Sequence, residues 1–155
     1  MPIVFSRVEE RLIHGQVSYS WSTVFNFDAF VVIDNSSATD LLQRSLLELA
    51  CPPGKKLFIY TEEEAIKNIN TINQSLFLVA KYPETYLNLY KNGVTFTNLN
   101  IGSINHRPNT KEVYRTLWLT DADIQALKEL MDLGVECEMQ KLPTEKVINL
   151  RKLIL

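Results

Sequence analysis

The 155 residues, 46% hydrophobic and 22% charged, suffice for one folded domain with a core covered on two faces and exclude a disordered chain. A formal net charge of −2 gives no support for general nucleic-acid binding, which usually shows a basic domain or stripe, so any anion site must be local. The longest purely apolar stretch, Ala29 to Ile33, falls far short of the roughly 20 residues that cross a bilayer; with no secretory pattern at the N-terminus, a single cytoplasmic domain over residues 1–155 is expected.

The chain opens with an apolar run, Ile3-Val4-Phe5, that reads as a strand and leads into a charged loop holding Arg7, Glu9, Glu10 and Arg11. Just past His14 a helical pattern begins, with Val17, Trp21, Val24 and Phe25 at i, i+4, i+7 and i+8. His14 therefore falls at a strand-to-helix junction. A helix start presents unpaired N–H groups and the positive end of the macrodipole, which suit an anion. Gly15 lets the backbone approach a ligand closely, and Arg7 and Arg11 can bring planar, bidentate guanidinium groups to phosphate. The chemistry suggested is a histidine that handles phosphate. Glu9 and Glu10 could hold the arginines, although loop solubility is the simpler reading.

Ala29 to Ile33 then suits a strand buried on both faces of a parallel sheet. It stops at Asp34, at the strand end where open α/β sheets place their ligands. Asp34 could orient His14 or an arginine, or simply cap the loop Asn35-Ser36-Ser37. Leu42, Leu46 and Leu49 form a helical stripe that reads as scaffold, closed by Pro52-Pro53-Gly54. Lys56 to Tyr60 is a third strand, and Thr61 with Glu64 forms a capping box for the next helix. Leu76 to Ala80 is a fourth strand, before a helix with Pro83 in its first turn and Gly93 at its end.

Phe96 to Ile101 reads as a fifth strand, followed by the most irregular segment of the chain, Gly102 to Asn109, expected to form a second wall of the site. Ser103, His106 or Arg107 could contact the phosphate or a partner there; taken singly, each reads as a solvated loop residue. Val113 to Leu119 supplies a further strand, and Thr120 caps a helix with Ile124, Leu127, Leu130 and Met131 on one face. Val135, Cys137 and Met139 alternate with polar residues as in a half-exposed edge strand, and a terminal helix is expected to carry Val147, Leu150 and Ile154. Cys51 and Cys137 have neither a CxxC nor a Cys/His metal spacing and read as reduced core residues. The βα alternation predicts an α/β domain of three layers, α/β/α, around a mostly parallel sheet of about six or seven strands.

The string from Arg7 to Val17 (Arg-Val-Glu-Glu-Arg-Leu-Ile-His-Gly-Gln-Val), with Trp21 beyond it, resembles the active-site signature of the IIB component of the mannose/fructose/sorbose family of the bacterial phosphoenolpyruvate-dependent sugar phosphotransferase system. The similarity extends through Val31-Val32-Ile33-Asp34, Pro52-Pro53-Gly54, Asn92-Gly93-Val94, Asn100-Ile101-Gly102 and Gly134-Val135-Glu136. It implies the three-layer architecture and a protein-N(pi)-phosphohistidine–sugar phosphotransferase. His14 would take a phosphoryl group from a IIA partner and donate it to a sugar translocated by membrane IIC and IID subunits, with the chain associated peripherally with that transporter. Imidazole suits both halves of the exchange, being nucleophilic near neutral pH and a good leaving group once phosphorylated.

The resemblance further implies phosphate-binding roles for Arg11, Arg7, Gly15 and Gln16, phosphorylation at Nδ1, and no cofactor beyond the transient phosphohistidine; a homodimer is compatible with it. Gly102-Ser103-Ile104 departs from the Gly-Gly-Met or Gly-Asn-Met usual in the family. The sugar is not identified, although Gly134-Val135-Glu136-Cys137 and Leu142-Pro143-Thr144-Glu145 look somewhat like N-acetylgalactosamine-type members. Two other readings compete: a regulatory module that binds phosphate without transferring it, and a metal site of His14, His106 and Asp34, for which no ligand spacing speaks.

Overall fold

In the computed structural model, which describes residues 3–155, strands and helices alternate along most of the chain. The first half comprises β1 (Ile3–Val8), α1 (Gly15–Ser22), β2 (Ala29–Ile33), α2 (Asn35–Thr39), α3 (Leu41–Ala50), β3 (Lys56–Tyr60), α4 (Glu62–Asn68) and β4 (Leu76–Ala80). It continues with α5 (Pro83–Lys91), β5 (Asn98–Ile101), β6 (Lys111–Tyr114), β7 (Leu117–Leu119), α6 (Asp121–Asp132), β8 (Glu136–Met139), β9 (Ile148–Asn149) and α7 (Arg151–Ile154). Seven of the strands form one sheet in the order β3-β2-β4-β1-β5-β8-β9, parallel throughout except for the short β9. The expected three-layer α/β/α architecture is the one found.

Two hydrophobic clusters lie on opposite faces of this sheet, and successive residues of one strand serve different clusters because side chains alternate across a pleat. Val31 and Ile33 of β2 pack with Ala65, Tyr86, Leu89, Leu127 and Leu130 beneath α4, α5 and α6. Phe30 and Val32 pack with Phe5, Trp21, Leu47 and Phe77 beneath α1 and α3. The capping boxes form as expected: Thr61 with Glu64 on α4, and Thr120 with Asp123 on α6. Both satisfy orphan N–H groups of a first turn.

Four expectations are corrected. The first strand runs on to Val8, so Arg7 belongs to a central strand, paired with Val79 and Asn100 of its neighbours, rather than to a loop. Asn35-Ser36-Ser37 opens the short helix α2, with Asp34 as its cap. The run from Val113 to Leu119 turns back on itself: β6 and β7 form a separate antiparallel hairpin, with Thr116 at φ +61° in the turn. The terminal helix is shortened to Arg151–Ile154 because residues 148–149 pair with β8 instead.

The stripe on α3 also differs from expectation. Leu42, Leu46 and Leu49 are 69%, 57% and 83% exposed, while Leu47 is the leucine that enters the core. The helix is real, and its cap is Asp40, which accepts from the N–H groups of Leu42 and Gln43. Its broadest apolar face points outward.

Candidate active site

The carboxyl ends of β1, β4 and β5 meet at the loop 9–14. Backbone bonds stitch them together: Glu9 N–H donates to the carbonyl of Ala80 at 2.9 Å, and Gly102 N–H to that of Val8 at 2.9 Å. Within the loop the N–H of Leu12 donates to the carbonyl of Glu9 at 3.0 Å. Leu12 adopts φ +60°, a left-handed conformation that costs a branched residue energy and is offset here by burial of Leu12 and Ile13 in the α1 face of the core. That turn leaves Arg11 exposed and His14 half-buried.

His14 is the N-cap of α1, and its side chain makes no capping bond. Its backbone N–H donates to Ser18 Oγ at 2.8 Å, which fixes the residue at the helix start. The first-turn N–H groups of an α-helix have no intrahelical acceptor, and here they open beside an imidazole that leaves them free. Gly15 follows at φ +43° with no atom within 4 Å of where a Cβ would stand; glycine is required by its backbone angle, not by crowding.

The imidazole is held by Glu9. Glu9 Oε2 lies 3.1 Å from His14 Nε2, and Glu9 Oε1 accepts from Arg7 Nε at 2.8 Å. A carboxylate acceptor at Nε2 selects the tautomer with its proton there, leaving the Nδ1 lone pair available. Glu9 is thus buried and structural to the site, and loop solubility is not its role. Its neighbour Glu10 reaches across to Asn105, accepting from both its N–H and its side-chain amide, and so docks the 102–109 segment against the loop.

Arg7 is placed differently from the exposed phosphate-binding guanidinium expected. It is almost fully buried, and its donors are taken by Glu9, by the side chain of Asn100, and by the carbonyls of Gln140 at 2.8 Å and Lys141 at 2.9 Å. The ring of Trp21 covers it at 4.4 Å from Cζ to centroid, and its own carbonyl accepts from the Tyr86 hydroxyl at 2.7 Å. Burial pulls its pKa below the ordinary arginine value, against the opposing pull of Glu9. Arg7 is the anchor that sets Glu9, which in turn sets His14.

Two clefts flank the imidazole. One, of about 510 Å³, is lined by Arg11, Leu12, Ile13, His14 and Gly15 together with Ser37, Gln43, Leu46, Leu47, Ala50, Lys81 and Glu10. The other, of about 120 Å³, includes Glu9, Glu10, Arg11, His14, Ser103, Asn105 and Lys141. Arg11 borders both. Gln16 is exposed on the first turn of α1. Ser103 is brought to the second cleft, where its hydroxyl pairs with that of Thr116 at 3.1 Å.

His106 and Arg107 line neither cleft. His106 sits edge-on to Trp118 of β7, and Arg107 bonds Asp123 of α6 at 2.8 Å while covering Tyr82; both pack away from the imidazole. Asp34 accepts from Ser37 N–H and Oγ and pairs with Lys81 at 3.3 Å, so it caps α2 and touches neither His14 nor an arginine. Among the described residues no cluster of three His, Cys, Asp or Glu side chains could hold a metal ion, and no helix is long and apolar enough to cross a membrane. Lys81 and Ser18 were not singled out by sequence; for Glu9, holding an arginine was one of the two readings the sequence offered, and its contact with Arg7 selects it.

Comparison with known proteins gives a consistent result. The family model described as PTS system sorbose subfamily IIB component matches residues 3–155. The N-acetylgalactosamine-specific phosphotransferase enzyme IIB component 2 of Escherichia coli K12 is 34% identical, with 98% of each chain covered. The crystal structure of the IIBSor domain of the sorbose permease from Klebsiella pneumoniae superposes with a TM-score of 0.93 at 32% identity, covering 99% of this chain and 96% of that one. The mannose-specific EIIAB component of Escherichia coli K12 is 28% identical over 99% of this chain, which spans 49% of that protein.

Proposed function

This chain belongs to the sorbose subfamily of phosphotransferase-system IIB components, phosphocarriers of sugar transport, and on that footing we propose that His14 Nδ1 is the atom that carries the phosphoryl group. The observation that supports this most directly is the Glu9–His14 contact, which occupies Nε2 and leaves Nδ1 as the nucleophile. The Nδ1 lone pair attacks phosphorus on a phosphohistidine of a IIA partner. The donor's P–N bond breaks as the new one forms, and its electron pair stays with the donor imidazole. His14 keeps its Nε2 proton, so the phosphorylated ring is cationic, faces the Glu9 carboxylate, and is a good leaving group.

In the second half a sugar hydroxyl, presented by membrane IIC and IID subunits, attacks the same phosphorus. The P–Nδ1 bond breaks with its electron pair returning to the ring, and the hydroxyl proton passes to solvent or to a base at the acceptor site. Phosphoryl transfer asks the protein mainly for positioning and for offsetting charge. Arg11 is exposed beside His14 and supplies a fork suited to phosphate, and the opening turn of α1 at Gly15 and Gln16 supplies N–H groups. The phosphohistidine makes a separate cofactor unnecessary. That a relative is an EIIAB protein supports a IIA partner for this chain, and a cytoplasmic protein at the face of its transporter fits the same reading.

Incubation with phosphorylated IIA is the test. His14→Ala abolishes the label and His106→Ala does not, and the label is lost in acid and stable in alkali, as expected of a phosphorus–nitrogen bond. An acid-stable label, or full labelling of His14→Ala, would overturn the assignment. A protein that binds phosphate but takes no label from IIA would instead be a regulatory module.

A further inference from the structure

We propose that Lys81 is the second cation of the phosphorylated site: Asp34 holds it in reserve, and the phosphoryl group on His14 draws it in. The inference rests on the phosphocarrier reading of His14. A phosphoryl group brings a charge of about −1.5 to −2 near neutral pH, and with Arg7 buried and its donors occupied, Arg11 alone does not offset it.

Three observations point to Lys81. It follows directly on Ala80, whose carbonyl accepts from Glu9 N–H, so it stands at the base of the His14 loop. It lines the larger cleft with Arg11, His14 and Gly15, whereas Glu9 borders only the smaller one. With Nε2 taken by Glu9, Nδ1 is the ring nitrogen left for a phosphoryl group, and His14 lines the cleft that holds Lys81. Finally, the Lys81–Asp34 pair is built to open: Lys81 is 30% exposed in its side chain, and Asp34 Oδ2 already accepts two bonds from Ser37. Asp34 therefore stays satisfied when the ammonium leaves. A lysine suits such an exchange, being a compact charge on a flexible stem with three donors.

The test compares the extent and rate of His14 labelling by phosphorylated IIA in the full chain, with thermal melting run alongside. Lys81→Gln lowers the labelled fraction at equilibrium by about three- to tenfold, the size of one exposed charge-assisted contact, and Lys81→Arg restores most of it. Asp34→Asn acts in the opposite direction, raising the labelled fraction, because the amide still caps α2 while Lys81 is released. Lys91→Gln, a cation on α5 that pairs with Glu129 and lines neither cleft, leaves labelling unchanged. Normal labelling of Lys81→Gln, an equal loss with Lys91→Gln, or a decrease with Asp34→Asn overturns the proposal while the phosphocarrier reading stands. Absence of label from the unsubstituted protein overturns both. Asp34→Asn leaves Lys81 in place, so it decides the question even where Lys81→Gln melts early.

Discussion

Glu9 touches His14 through one carboxylate oxygen and Arg7 through the other, at 3.1 Å to Nε2 and 2.8 Å to Nε. The imidazole proposed to carry the phosphoryl group is thus oriented by a buried ion pair. Glu9→Gln keeps the volume but lets an amide present either a donor or an acceptor to the ring, so the tautomer with a free Nδ1 is no longer selected. We expect phosphoryl acceptance to slow by about 10²-fold or more, together with a lower melting temperature from the unpaired Arg7. Labelling rates corrected for folded protein measure the first effect, and unchanged rates would remove Glu9 from the mechanism.

The two arginines of the loop should separate cleanly. Arg7→Met strips partners from Glu9, Asn100 and two carbonyls, and is expected to destabilise the fold by about 3 kcal/mol or more. Arg11→Ala changes stability by no more than about 0.5 kcal/mol, as for an exposed side chain, yet slows transfer about 10- to 100-fold through loss of its bonds to phosphate. Arg11→Lys restores only part, since the planar fork is lost. Urea unfolding and single-turnover transfer on the same samples check both halves; a large stability loss in Arg11→Ala would contradict the division.

Gly102 sits against this ion pair. A Cβ there would stand 2.8 Å from Arg7 Nη2 and 2.9 Å from Glu9 Oε1, and the guanidinium cannot swing away because its other donors are bonded to 140 and 141. Gly102→Ala should therefore cost about 1–3 kcal/mol and slow labelling by displacing Glu9, whereas Ser103→Ala, one residue on, should leave stability nearly unchanged. Equal melting temperatures for Gly102→Ala and the parent would show that the loop yields.

Stability should fall in alkali. Burial pushes the Cys137 thiol up from 9.0 to about 12 and raises the Tyr86 phenol above its ordinary 10.0. Each group stays protonated in the folded chain after the unfolded chain has lost its proton, so the unfolded state binds fewer protons and stability declines as pH rises. For Cys137 the decline begins near its ordinary value of 9.0 and ends at about 12. Urea midpoints collected across that range should drop steadily, with a shallower start in Cys137→Ala; a flat profile would count against these shifts.

Partner contacts should map to one face. Chemical-shift changes on adding IIA are expected around Arg11, His14 and Gly15 and along the outward leucines of α3, since Leu46 shares the larger cleft with His14. Changes confined to the amino ends of the strands would argue for a different binding mode.

Much of the frame was legible because each strand and helix advertised itself locally: the apolar run of β2, the capping boxes at Thr61 and Thr120, and the glycine stops. The placement of His14 at a helix start, with Arg11 exposed beside it, was legible because an apolar run ends and a helical pattern begins there. Arg7 was not, since its partners Asn100, Gln140 and Lys141 lie 93 to 134 positions away, and nothing local distinguishes a strand arginine from a loop arginine. Glu9 was legible only in part: its pairing with an arginine could be read as one option, but the choice between that and loop solubility depends on a buried Arg7. The leucines of α3 misled because periodicity gives a stripe but not the direction it faces, and the β6–β7 turn lacks the glycine or asparagine that commonly marks a left-handed residue.

The bond from Arg7 to the carbonyls of Gln140 and Lys141 also sets an order of assembly. His14 is synthesised well before the carbonyls that clamp its support, which lie 133 and 134 positions beyond Arg7. Closing so long a loop is entropically slow compared with forming the local helices. A nascent or truncated chain that stops short of residue 140 therefore leaves His14 on an unsecured loop, and the site is complete only once the segment carrying Gln140 and Lys141 has docked.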